Sequence, residues 1–197
     1  MLKSYPKEII LKDGTGVTVR FLREGDEETL LEMYRRFPEE ERWFLENDVQ
    51  DPSIIKRWVE TADVKRLVSL VAVLENRIIA HATIIRKYYG ARAHIGKIRI
   101  SVDPAFRERH LGTWMLLDLH NAAISLGLKI LEMRLVRGRQ SHVVGSSKRL
   151  GFREEATLRE YLMDRAGNAH DLVIMVKRLR GTWEEPAEII PGGEWEA

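Results

Sequence analysis

The stretch Val102-Asp103-Pro104-Ala105-Phe106-Arg107-Glu108-Arg109-His110-Leu111-Gly112-Thr113 holds the residues best arranged for chemistry. β-prone residues run up to Val102, a short basic loop follows, and helical spacing begins at Leu111. Successive main-chain N–H groups in such a turn point into one concavity, to which the following helix adds its positive end. The chemistry is anion capture. The amides after Phe106 would surround a diphosphate, and Arg107 and Arg109 would pair with its oxygens. Taken alone, an arginine-rich strand-to-helix turn is weak evidence, because most such turns are simply solvated.

For that loop to work, a strand must lead in and a helix must lead out. Residues 94–102 read as the strand, with Ile95, Ile98, Ile100 and Val102 set against Lys97, Arg99 and Ser101. Leu111, Met115, Leu119, Ala122 and Leu126 recur at helical spacing, and Gly127 stands where that helix would stop. Upstream, residues 8–12 and 17–22 flank Asp13-Gly14-Thr15-Gly16 in the pattern of a hairpin. Asp26 is placed to cap a helix reaching Phe37, with Leu30, Leu31 and Tyr34 on its inner face. Pro38 before Glu39, Glu40 and Glu41 reads as a second helix start, with proline at the first helical position, and Asp51-Pro52 as a third. Capping explains the acidic triplet more simply than a cationic substrate does. Residues 67–74 and 78–88 form two strands around Glu75-Asn76-Arg77. Residues 130–136 are a strand, and 141–150 a short helix stopped by Gly151. A last hairpin, 158–163 with 171–179, turns at Ala166-Gly167-Asn168. This order predicts one α/β or α+β domain over residues 1–180, with 1–14 as an N-terminal strand extension. Residues 181–197 read as an irregular acidic extension.

The composition removes whole classes of function. A chain of 197 residues, 44% hydrophobic and 31% charged, is long enough for one domain with a real core and is not a disordered chain. No apolar run approaches the roughly 20 residues that span a bilayer. The start, Met1 to Pro6, has no apolar signal region, so a soluble cytoplasmic protein is expected. There is no cysteine, which excludes disulfides, thiolate catalysis and cysteine-bound zinc. His81, His94, His110, His120, His142 and His170 include no i, i+4 pair, so no metal is expected. The net charge of +2 hides an asymmetry: five glutamates and no cation in residues 181–197 leave +7 on the body. A mildly basic body suits an anionic ligand. A nucleic-acid backbone ranks last, because Arg134, Arg137 and Arg139 come without an aromatic-studded strand or a recognition helix.

Strand, Arg-x-x-x-x-Gly, long helix, strand, short helix and then Leu150-Gly151-Phe152 resemble the GNAT superfamily of acyl-CoA-dependent N-acyltransferases, over roughly residues 17–179. The resemblance implies a GNAT-like single domain. Its central sheet is mixed, mostly antiparallel and splayed between the fourth and fifth strands, with helices on both faces. It implies acetyl-CoA or a close acyl-CoA as co-substrate, no metal, and a primary amine of a small molecule or peptide as acceptor. A homodimer is plausible on the same ground. The family's loop reads Gln/Arg-x-x-Gly-x-Gly/Ala, and its amides bind the CoA pyrophosphate. Arg107 matches the first position and Gly112 the last glycine, while His110 stands where the first glycine usually is. The implied cofactor loop is therefore Arg107, Glu108, Arg109, His110, Leu111, Gly112 and Thr113. Ile100, Ser101 and Val102 would offer main-chain groups to the pantetheine arm along the splayed edge. Gln140, replacing the family's Asn, would contact the same arm.

The family's catalytic positions match less closely. Its Asn-x-x-Ala-x-x-Leu-Tyr-Glu-Lys-x-Gly-Phe aligns onto residues 140–152, which puts Ser147 in place of the Tyr that protonates the departing thiolate. Serine is a weaker and shorter acid. Where some members carry a basic Glu, this chain has Leu135; where others use the strand before the loop, it has Lys97 and Arg99. The candidates left for the base are His94, Glu132 and His142, with a water relay beside them. Trp43, Phe44 and Trp58 lie in the segment that covers the acceptor site in this family, where packing is their expected role. The alternative reading is a non-catalytic acyl-CoA sensor on the same fold, because Leu135 and Ser147 occupy the usual acid and base positions.

Overall fold

The computed structural model describes residues 5–61, 67–139 and 141–179. Gln140 and the acidic extension lie outside the described residues. Strands β1 (Lys7–Ile10) and β2 (Gly16–Phe21) form the expected antiparallel hairpin, from Lys7 opposite Val19 to Ile10 opposite Gly16. Helix α1 (Glu27–Arg35) follows Asp26, but the Asp26 side chain does not cap it. Instead the carboxylate accepts both Arg20 Nη groups, at 2.6 and 2.7 Å, and the Arg23 amide at 2.9 Å. The charged pair outcompetes the local cap because a guanidinium offers two aligned N–H donors to one carboxylate. In α2 (Glu39–Arg42), Pro38 takes the N-cap position rather than the first helical one. Helix α3 (Pro52–Glu60) is capped by Asp51, which accepts from the Ser53 amide at 2.8 Å.

Strands β3 (Leu67–Leu74) and β4 (Arg77–Arg86) are joined by Glu75 and Asn76 at φ 48° and 64°, the left-handed geometry that a two-residue hairpin needs. Strand β5 (Ile95–Val102) leads through a 3₁₀ turn at Pro104–Phe106 into α4 (Leu111–Ser125). That helix ends as expected. Gly127 sits at φ 71°, its amide donates to Ile124 O and the Leu128 amide to Ala123 O, which satisfies the last carbonyls. Strand β6 (Ile130–Val136) and helix α5 (Ser141–Arg149) follow, then β7 (Arg153–Met163) and β8 (Ala169–Arg178). Strand β7 starts earlier than its pattern suggests. Register shifts at Glu154/Ala156 and Leu158/Leu162, with Glu160 at φ 52°, break the alternation that would have marked it.

The eight strands form one sheet in the order β1-β2-β3-β4-β5-β6-β8-β7, and only β5 and β6 run parallel. Helices α4 and α5 cover one face, where Leu111, Met115 and Leu119 pack on Leu70, Ala82, Ile84 and Leu131. Helices α1 and α3 cover the other, with Leu30, Met33, Ile55 and Val59 on Val71 and Ile78. Each fully enclosed Leu or Ile contributes roughly 1.5–3 kcal/mol, so two continuous cores fix the sheet from both sides. Between β5 and β6 the pairing covers only Ile95–Lys97 against Ile130–Glu132. Counted from β2, these are the fourth and fifth strands, and they part where the splay was expected. Gly96 stands at the junction. A Cβ there would lie 2.8 Å from Ile84 Cγ2 and 2.8 Å from Leu128 Cδ1, so any larger residue must push side chains aside where the two half-sheets meet. Among the described residues no helix is long and apolar enough to cross a membrane.

Candidate active site

Asp103 shapes the turn after β5. Its carboxylate, 1% exposed, accepts from the Ala105 amide at 3.0 Å, Arg36 Nε at 2.6 Å and Arg77 Nη2 at 3.2 Å. Two cations and a backbone donor satisfy the buried charge, which is the condition for keeping one inside. Beyond the 3₁₀ turn the chain passes through positive φ at Glu108 (61°) and His110 (65°) before entering α4. The Thr113 and Trp114 amides turn back to His110 O. The amides of Glu108, Arg109, His110, Leu111 and Gly112 donate to none of the described residues. They belong to the loop and to the first positions of a long helix, where the positive end of the dipole lies. Among the described residues, none accepts a hydrogen bond that would turn these amides inward.

The two loop arginines are held by carboxylates. Arg107 sends Nη1 and Nη2 to Glu41, at 2.9 and 2.5 Å, and Nε to Val102 O at 3.3 Å. Arg109 reaches Asp13 of the β1–β2 loop at 2.6 Å, with its guanidinium carbon 5.1 Å from the centre of the Phe106 ring. Pairing with phosphate would require both to exchange partners or to use their remaining N–H groups. Residues Ile100, Ser101 and Val102 lie opposite Ala82, His81 and Ala80 of β4, in the part of β5 that has left β6. Their second edge faces the gap.

Of the four catalytic candidates, the His142 side chain lies outside the described ones, and the other three are not brought together. His94 is exposed and precedes β5 at the closed end of the gap, about 26 Å of strand from Val102 at ~3.3 Å per residue. Ser147 is 1% exposed on the α5 face packed against β6, and its hydroxyl reaches Met133 Sδ at 3.5 Å. Glu132 alone stands where β5 and β6 diverge, opposite Lys97. Its carboxylate accepts from Arg134 Nε at 3.0 Å and from Arg92 Nη2 at 3.4 Å.

Other groups meet at the gap without a local signal in the sequence. Glu46, just after α2, pairs with Lys97 and reaches Arg99 at 3.1 Å. Burial works against its charged form, but the Lys97 bond and the nearby Arg99 and Arg134 charges prevail and hold the carboxyl below its ordinary range. Trp43 donates its indole N–H to Met163 O at 2.8 Å, and Phe44 meets His170 edge-on at 5.4 Å, so this segment touches the β7–β8 hairpin as well as β5. Beneath α1 and α3 lies a cavity of about 350 Å³, lined among others by Tyr34, Trp58, Ser69, His81, Arg86 and Arg99. Tyr34 Oη and Ser69 Oγ each lie 2.8 Å from a ring nitrogen of His81. Burial pushes the His81 pKa down to about 3, with the Arg99 charge adding to the effect, so the ring is neutral. Ser69, His81 and Thr83 are polar interruptions in otherwise apolar strand runs, which was the available signal. Trp58, expected to pack, does so against Tyr34 and His81 while also lining the cavity.

A parallel strand pair that parts beside unpartnered amides at a helix start is the architecture of the GNAT fold. The chain belongs to the acetyltransferase (GNAT) family, whose model matches residues 27–152. No curated protein sequence matches the chain. Among solved structures it is similar to a GNAT-family acetyltransferase from Streptococcus pneumoniae, at 20% identity and TM-score 0.73, covering 83% of this chain and 99% of that one. It is likewise similar to yncA from Salmonella typhimurium, solved with its cofactor acetyl-CoA, at 19% identity, TM-score 0.72 and coverage of 87% and 96%. A ribosomal-protein-alanine N-acetyltransferase from Brucella melitensis is similar at 21% identity, TM-score 0.71 and coverage of 82% and 99%. Among the described residues no group of three or more His, Asp or Glu side chains is placed to hold a metal ion.

Proposed function

We propose that this protein moves an acetyl group from acetyl-CoA to a primary amine by direct attack within a ternary complex. The observation that carries the reading is the run of amides from Glu108 to Gly112, donating to none of the described residues, at the start of α4 beside the parted edge of β5. The loop amides would hold the pyrophosphate, and Arg107 and Arg109 would neutralise it. Ile100, Ser101 and Val102 would pair through their main chains with the pantetheine arm, as a strand pairs with an edge. In the reaction the amine nitrogen bonds to the thioester carbonyl carbon, the C–S bond breaks, the amine proton departs and the thiolate leaves.

The side chains at the gap suit positioning more than strong acid–base work. Glu132 and Glu46 are both ion-paired, and the Ser147 hydroxyl is enclosed, so proton transfer through water fits the arrangement. A thiolate with a pKa near 8.5 leaves without a tyrosine acid. Holding amine and thioester together then supplies most of the acceleration.

Calorimetry with CoA and acetyl-CoA, followed by CoA release with a panel of amines, tests the reading. Binding with turnover supports it. Absence of binding at millimolar ligand overturns it. Binding without release for any amine would favour the sensor reading, in keeping with the enclosed Ser147.

A further inference from the structure

We infer that the acceptor is a small amine that also carries a carboxylate, and that Arg99 receives that carboxylate inside the cavity beneath α1 and α3. The inference rests on the acetyl-transfer reading above and adds the substrate class.

Three observations converge on it. The first is size: at about 350 Å³ the cavity is at the lower end of small-molecule sites. The second is charge. Arg99 lines the cavity, and among the described residues no carboxylate does; Arg86 borders it too, but its guanidinium donates to Leu126 O at the end of α4. His81, the remaining titratable base in its wall, is neutral. Around the gap Arg92, Lys97, Arg99 and Arg134 face only Glu46 and Glu132, so cations outnumber carboxylates there among the described residues. Such a field disfavours polycationic acceptors and favours an anionic group. The third is position. Arg99 lies opposite Thr83 on β5, in the part of the strand that no longer pairs with β6. A carboxylate bound there sits within the length of a small molecule from the edge where the thioester would lie.

Arg99 has the donors for this task. A guanidinium offers five N–H groups in a planar fork, and in the described structure one contact, Nη2 to Glu46 at 3.1 Å, engages it. Tyr34 and Trp58, edge-to-face at 5.9 Å, give the same cavity an apolar wall for the rest of the acceptor. Ser69 and Thr83 add hydroxyls on its floor. The rival occupant is a second ammonium held against the aromatic faces, and it predicts the opposite preference.

The test uses matched pairs of acceptors, each an amino acid and its decarboxylated amine: phenylalanine with phenethylamine, and leucine with isoamylamine. CoA release at saturating acetyl-CoA gives kcat/KM for each. The expected result is at least a tenfold preference for the member with the carboxylate next to the amine. In Arg99→Gln the preference should collapse toward unity, chiefly through KM, and Arg99→Lys should keep an intermediate value because the charge remains. Calorimetry with CoA on each variant reports separately that it is folded. Turnover with no preference, or with a preference for diamines, overturns the carboxylate assignment and leaves acetyl transfer standing. CoA binding without turnover on any amine overturns the transferase reading and this assignment with it.

Discussion

The carboxylate of Glu41 occupies both terminal nitrogens of Arg107, at 2.9 and 2.5 Å, with the two residues 66 positions apart in the chain. The guanidinium that would neutralise a pyrophosphate is therefore already neutralised by a side chain of α2. Ligand and Glu41 compete for one cation. Exposed ion pairs are worth about 0.2–1 kcal/mol, so Glu41→Gln should tighten CoA binding by up to about fivefold. Arg107→Ala should weaken it about tenfold or more, since a charge-assisted pair to phosphate is lost outright. Calorimetry at low and moderate salt measures both. A Glu41→Gln protein that binds CoA more weakly would show that the carboxylate organises the loop rather than competing for it.

Gly96 is the described glycine with the least room for a side chain, and its replacement is a direct test of how β5 and β6 are joined. Gly96→Ala pushes a methyl onto Ile84 Cγ2 and Leu128 Cδ1, each 2.8 Å from the new carbon. Overpacking of this kind costs about 1–3 kcal/mol, or roughly 2–12 °C in Tm for a chain of this length. An unchanged melting temperature would mean that the junction yields more easily than its packing indicates.

The buried histidine gives a pH signature. His81 is neutral in the fold because burial lowers its pKa to about 3, whereas an unfolded chain titrates near 6.5. Between those values only the unfolded chain takes up the proton. Stability is therefore complete above about pH 6.5 and declines as the pH falls toward 3, by up to about 1.4 kcal/mol per pH unit from His81 alone. Urea unfolding from pH 7 to pH 4.5 reads this slope. His81→Gln should lower stability at pH 7, by disturbing Tyr34 and Ser69, and should flatten the slope by one proton. A slope unchanged in that variant would assign the acid sensitivity elsewhere.

His110 holds φ at 65°, a left-handed conformation that glycine adopts most easily. The left-handed conformation costs a side-chain-bearing residue roughly 1–2 kcal/mol, partly offset by the chain entropy that glycine loses on folding. His110→Gly should raise Tm by about 1–4 °C, and His110→Val should lower it by more than that. Differential scanning calorimetry decides the sign. A lower Tm for the glycine variant would show that the imidazole itself supports the turn.

Much of the fold was legible because it is local. Leu111, Met115, Leu119 and Ala122 announce α4 by spacing, Gly127 ends it, and Glu75-Asn76 sits in the turn between β3 and β4. Arg107 to His110 lie between a strand and a helix, and Leu111 to Thr113 form the helix's first turn. The rest depends on partners far along the chain. Asp26 reads as a cap but serves Arg20, because a cation six residues back is a stronger partner than a helix amide. Of the helix-start glutamates, Glu39 meets Arg165 and Glu41 meets Arg107. His94 and Glu132 look equivalent as titratable strand residues, yet one is exposed at the closed end and the other stands at the divergence. Glu46 and Arg99 are 53 positions apart, and no periodicity could bring them together on the page.

The segment that follows Pro38 reaches across both half-sheets, with Glu41 and Glu46 pairing on the β5 side and the Trp43 indole on the β7–β8 hairpin. Arg107 and Arg99 are thereby tied to one short segment, the first through Glu41 and the second through Glu46. Were a ligand at Arg107 to shift that segment, thermodynamic reciprocity would require a molecule held at Arg99 to change the first ligand's affinity by the same factor.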